Sequence, residues 1–104
     1  MSLPGSMGQI AEVIQSPLFA RQKKKLKEKE QRGLDEAVCA IMADPAVGST
    51  KCGDLQGVHV YKYRSGTSQM LLAYELADNG TTLHLYAVGR HENFYRDLSK
   101  YIHQ

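Results

Sequence analysis

Gln69–Val88 reads QMLLAYELADNGTTLHLYAV. Two runs of strand-forming residues, Gln69–Leu76 and Thr82–Val88, flank Asn79-Gly80. Asn-Gly is the strongest short hairpin signal, because both central residues of a type I′ turn need positive φ. Upstream, Val58–Arg64 (VHVYKYR) is a third run of the same kind, with Ser65-Gly-Thr-Ser68 as the turn between. Three strands joined by short turns form an antiparallel meander.

The first half of the chain has a different period. Ile10–Ile14 alternates like a short strand. Ser16-Pro17 reads as an N-cap and first helical residue, opening a helix to about Gln31 that Gly33 ends. A second helix covers Leu34 to Ala43, with Leu34, Ala37, Val38, Ile41 and Met42 on one face. Asp44-Pro45 stops it. After the meander, Glu92–Ile102 forms a last helix with Phe94 and Leu98 inward. The order β-α-α-β-β-β-α makes an α+β domain. Helices covering one face of the sheet would leave the other open and concave.

The 104 residues suit one domain, 7–104; Met1–Ser6 reads as an expression scar or loose start. No apolar run is long enough to span a bilayer and no signal peptide is visible, so a cytoplasmic location without membrane contact is expected. Cys39 and Cys52 lack a CxxC spacing and read as reduced thiols, Cys39 in the core. Between Arg21 and Arg32 lie seven basic and two acidic residues, net +5; the remainder has six basic and nine acidic, net −3. A basic ridge on a slightly acidic body suits a polyanion partner. A solvated helix face gives the same pattern.

Strand alternation places Val58, Val60, Lys62 and Arg64 on one side and His59, Tyr61 and Tyr63 on the other. With the bulky set toward the helices, Lys62, Arg64, Gln69 and Glu75 occupy the open face, and Arg90 and His91 reach its rim. An RNA phosphodiester can be cut by its own 2′-OH, given a proton-transfer group and cations around the pentacoordinate phosphorus. Lys62, Arg64 and Arg90 can supply cations. An imidazole titrates near neutrality, so His91 can move the proton. Tyr95 can stack on a base or donate its hydroxyl. The four histidines have no metal-ligand spacing, so no metal or other cofactor is expected. Ordinary surface residues ahead of a helix would look much the same, and Asp54 in a Gly-Asp-Leu-Gln-Gly stretch is most simply a turn former.

An ordered set of segments resembles the RelE/ParE superfamily of bacterial type II toxins. It comprises the lysine-rich Phe19–Leu26, Asp44-Pro45, Lys51-Cys-Gly-Asp-Leu-Gln-Gly57, Tyr61-Lys-Tyr-Arg64, Leu71-Leu-Ala-Tyr74 and Val88-Gly-Arg-His-Glu-Asn-Phe-Tyr95. The likeness covers about 10–102. It implies a RelE-like microbial RNase fold, in which an N-terminal strand and helical hairpin pack on a twisted, mainly antiparallel sheet with a C-terminal helix.

The resemblance also implies function. RelE-like and YafQ-like members cut message in the ribosomal A site without a metal, whereas ParE-like members poison DNA gyrase. Partners would be a cognate antitoxin and the 70S ribosome with bound mRNA, with operator DNA reached only through the antitoxin. Lys23, Lys24, Lys25 and Lys27 would then grip ribosomal RNA, and Gln69 would face the message. Residue by residue, His91 and Tyr95 match a YafQ-like histidine and aromatic four apart. Lys62 matches a RelE-like basic residue, with Arg64 as its neighbour. Arg90, Asp54 and Glu92 are more distant transfers. Leu71 stands where the family has an arginine, and the turn histidine of YafQ-like members is missing, so a gyrase inhibitor or an inactive antitoxin-binding relative stays open.

Overall fold

The computed structural model describes residues 10–50, 57–78 and 80–102. Met1–Ser6, Cys52, Asp54 and Asn79, and the Glu92 side chain, lie outside what is described. The elements are β1 (Glu12–Gln15), α1 (Pro17–Lys24), α2 (Glu28–Ala43), a 3-10 turn (Pro45–Val47), β2 (Ser49–Thr50), β3 (His59–Ser65), β4 (Ser68–Ala77), β5 (Thr82–Arg90) and α3 (His91–Ile102). Among the described residues no helix is long and apolar enough to cross a membrane.

The sheet order is β1-β5-β4-β3-β2. The meander forms as expected, with Ser65 opposite Ser68 and Ala77 opposite Thr82. The first turn places Gly66 at φ +63°, the left-handed first position of a type II′ turn. β1 adds in parallel beside β5, Glu12 opposite Thr82 through Gln15 opposite Leu85.

β4 lies at the centre, and Met70–Tyr74 is fully buried. A strand covered on both faces reads as a continuous apolar run, which explains MLLAY. On one face, Leu72 and Tyr74 join Phe19, Leu34, Ala37, Ile41, Leu83, Leu85 and Val88 beneath the α1–α2 hairpin. On the other, Val58, Val60, Leu71, Ala73 and Ala87 pack against Phe94 and Leu98 of α3. The expectation of one open face is thus corrected. The amphipathic α3 covers most of it, because exposed Val58, Val60 and Leu71 would have left a large apolar surface in water.

The register shifts between Ala73 and Tyr74, whose partners are Ala87 and Leu85. Tyr86 is therefore an extra residue on β5, and an extra residue leaves backbone groups outside the ladder. Ser16 fills the gap: its Oγ donates to the Tyr86 carbonyl at 2.7 Å and accepts from the Phe19 N–H at 3.0 Å. It caps α1 and fastens that helix to β5 at once. Further on, the Val88 N–H donates to Gln22 Oε1 at 2.9 Å.

The helical hairpin breaks earlier than the sequence suggests. α1 ends at Lys24, and α2 starts at Glu28 and runs through Gly33. The new helix starts because the Lys27 N–H donates to Glu30 Oε1 at 3.0 Å, the reaching-back half of a capping box. Gln31 Nε2 ties the junction by donating to the carbonyls of Lys23 (3.1 Å) and Leu26 (3.2 Å). Gly33 serves close packing instead: a Cβ there would lie 3.0 Å from Tyr63 Cε2.

Cys39, expected in the core, is exposed on α2. The helix's buried stripe passes through Ala37 and Ile41 and leaves position 39 outside it. Beyond α2, the Tyr74 hydroxyl donates to the Pro45 carbonyl at 2.6 Å and accepts from the Gly48 N–H at 3.0 Å. Tyr74→Phe leaves both backbone groups without that partner and should lower stability by about 1–3 kcal/mol. Urea unfolding would show this as a lower midpoint at unchanged slope.

Candidate functional site

Where α3 stops covering the sheet, β3 and β4 present a polar rim. Lys62 and Arg64 share the face of Val58 and Val60 by alternation, but both are exposed. Lys62 pairs with Leu71 and Arg64 with Gln69, which is also exposed. Lys62, Tyr63, Arg64 and Gln69 line a cleft of about 190 Å³. A neighbouring cleft of about 230 Å³ is lined by Ser68, Gln69, Arg90 and His91. Gln69 belongs to both, so Lys62, Arg64 and His91 border one connected depression.

His91 owes its place to the end of β5. Strand pairing continues to Arg90, opposite Met70, and α3 begins at the next residue. The imidazole therefore stands at the head of the helix, and Tyr95, one turn on, meets it edge-to-face with centroids 6.0 Å apart. Tyr95 also meets Phe94 edge-to-face at 5.1 Å and packs against the core beneath α3.

Arg90 behaves otherwise than expected. Because β5 runs straight through Gly89, alternation sends Arg90 to the hairpin side, away from the face of Lys62 and Arg64. There its Nη2 donates to Glu30 Oε2 at 3.1 Å, with Glu30 nearly buried and Arg90 about half exposed. The bond from the Lys27 N–H holds the Glu30 carboxyl below its ordinary value of 4.5; burial opposes this, and Arg90 and Lys27 reinforce it. A depressed carboxyl pKa contributes stability above the ordinary value that disappears as pH falls through the folded-state value. Glu30→Gln should therefore be about 1–2 kcal/mol less stable at pH 7. Its stability should also fall less than that of the wild type below pH 4.5, which unfolding titrations from pH 7 to 2 would reveal.

Tyr63 forms the inner wall of the Lys62–Arg64 cleft. Burial, then the carboxylates of Glu30 and Asp35, push its phenol well above the ordinary tyrosine range. Its hydroxyl has no hydrogen-bond partner among the described residues. Sequence reading placed Tyr63 in the core; what it missed was the glycine on α2 that lets the ring in.

The basic ridge spans a junction rather than one helix. Lys23 and Lys24 end α1, Lys25 is its C-cap, and Lys27 is the N-cap of α2. Lys24, Lys25 and Lys27 are exposed. Lys23 instead borders an apolar groove of about 350 Å³ with Val13, Phe19, Leu34 and Val38. The ridge lies on the hairpin side; Lys27 reaches a further cleft beside Arg90, while Gln69 stays with the rim.

Comparison with known proteins places this arrangement. Solved structures match over most of the chain. A doubly substituted Escherichia coli RelE in the free state has a TM-score of 0.68 at 15% identity, covering 88% of this chain and 92% of that one. The toxin–antitoxin complex RelBE of E. coli gives 0.64 at 18% identity, covering 77% and 95%. The RelBE2 complex of Mycobacterium tuberculosis gives 0.61 at 24% identity, covering 77% and 96%. These likenesses establish the RelE-like fold. A search of curated proteins by sequence finds no match. The family model described as "ParE-like toxin of type II bacterial toxin-antitoxin system" matches residues 13–99. The chain belongs to this family of ParE-like toxins.

Proposed function

We propose that this toxin is a metal-independent endoribonuclease that cuts message in the ribosomal A site, with a cognate antitoxin as its inhibitor. The observation that carries the reading is the connected depression in which Gln69 joins Lys62 and Arg64 to His91. Neighbouring strands lie about 4.8 Å apart, so the Arg64 backbone and the position following Arg90 are roughly 10 Å apart across two strands. An arginine and an imidazole can close that distance onto one phosphate.

In this reading the 2′-oxygen attacks the adjacent phosphorus, a P–O bond forms, and the bond to the 5′-oxygen breaks. His91 handles the proton between these two oxygens. Lys62 and Arg64 hold the added negative charge on the phosphorane. The amino end of α3 adds its partial positive charge beside the same cleft. Tyr95 sets the imidazole edge-on and offers an aromatic surface to a base. The basic junction at Lys23, Lys24, Lys25 and Lys27 makes phosphate contacts that position without reading sequence. RelE proteins are solved as RelBE toxin–antitoxin complexes, which supports an antitoxin partner here.

The test is expression of the chain in translating cells, with message 5′ ends mapped. Wild type should cut and arrest growth, while His91→Ala should lose both by about 10²–10⁴-fold at unchanged stability. Uncut message under wild-type growth arrest would reject the nuclease.

A second reading, inhibition of DNA gyrase, is favoured by the ParE-like description of the family and by buried Leu71 at the arginine position. Loss of supercoiling activity by purified gyrase on addition of the protein, with RNA left intact, would select it.

A further inference from the structure

The β3–β4 turn has a second side. Lys27, Lys29, Glu30, Ser65, Gly66, Thr67, Ser68 and Arg90 line a cleft of about 420 Å³ between this turn and the start of α2. That volume falls within the range of small-ligand sites, about 300–1,000 Å³. The cleft shares Ser68 and Arg90 with the one that holds His91. One continuous furrow therefore runs from Lys62 and Arg64, past Gln69 and His91, around the turn to Lys27 and Lys29.

We infer that this cleft is a second phosphate subsite, holding the backbone phosphate next to the one that reacts in a single-stranded RNA. The inference rests on the nuclease reading for its neighbour, but not for its own chemistry. Lys27 and Lys29 are exposed at its wall, and Glu30, the one carboxylate there, is already engaged by the Lys27 N–H and by Arg90. The lining thus keeps a net charge of +2. Arg90 spends Nη2 on Glu30, is half exposed, and retains further N–H donors. The Ser65 hydroxyl has no hydrogen-bond partner among the described residues. At Gly66 a Cβ would meet nothing within 4 Å, so the turn's backbone is open to close approach. A compact anion would satisfy one cleft alone. A polyanion strand matches the way the clefts join end to end.

The probe is a 2′-O-methyl RNA hexamer, which cannot be cut, titrated into the purified protein without ribosomes at 50 mM salt. Lys27→Ala/Lys29→Ala should bind about tenfold more weakly, and its log affinity should depend less steeply on log salt by about 1.4, near 0.7 per lost contact. Neutral methylphosphonate linkages walked along the hexamer should weaken wild type at two adjacent positions and the variant at only one. Equal affinity of wild type and variant overturns the subsite, as does a wild type without measurable affinity. So does a variant defect seen only on ribosomes, which would assign these lysines to ribosomal RNA. Message mapping separates the two readings: a wild type that binds at two linkages without cutting keeps the subsite and ends the nuclease.

Discussion

Lys62→Ala/Arg64→Ala should lower ribosome-dependent message cutting by about 10³-fold or more while leaving the fold intact. Both side chains are exposed on the stretch of β3 that α3 does not cover, and neither belongs to a core layer. Surface substitutions of that kind shift stability by roughly 0.5 kcal/mol at most. Their proposed task is the charge on the pentacoordinate phosphorus, and removing one such stabilising group costs about 10²–10³ in rate. Primer extension on message from translating extracts measures the first quantity and thermal unfolding the second. Full cutting by the double variant would remove these cations from the reaction. A loss of cutting matched by a loss of stability would make them structural.

Phe94→Ala carries the largest expected effect on folding. The ring is 1% exposed and, with Leu98 one turn later, holds α3 over Val58, Val60, Leu71, Ala73 and Ala87. It also meets Tyr95 edge-to-face. Truncating a buried phenylalanine costs about 3–5 kcal/mol, against a total stability of about 5–15 kcal/mol for a domain. The melting temperature should fall by about 15 °C or more. Circular dichroism would follow the transition, and an unchanged midpoint would mean that α3 does not hold the sheet as described. Because α3 begins at His91, cutting activity should fall together with folding in this variant, unlike in Lys62→Ala/Arg64→Ala.

The sequence made the meander, the element order and the sides of most strand residues legible, because period-two alternation and turn chemistry are local. Two glycines misled it. Gly33 was read as a helix end, yet it lies inside α2 where Tyr63 approaches. Gly89 was read as a break, yet β5 continues through it, which turns Arg90 toward Glu30. A glycine in sequence does not say whether it frees the backbone or makes room for a neighbour. The helix start at Lys27 was hidden for a similar reason, since lysine is not a favoured N-cap and the cue was the carboxylate three residues later. Cover of the second face by α3 depended on how far the last helix folds back, which no local pattern states.

Ser68 and Lys29 were also illegible as members of a site. They are ordinary surface residues until the hairpin turn and the second helix are brought side by side.

Met70–Tyr74 must satisfy neighbours above and below at once, so a change of shape there disturbs two layers together. Lys62, Arg64 and Gln69 support neither layer. Such a division lets the reacting groups drift while the scaffold persists. It accounts physically for relatives with only 11–24% identity retaining one architecture, and for a leucine standing where kin carry a cation without the sheet registering the exchange.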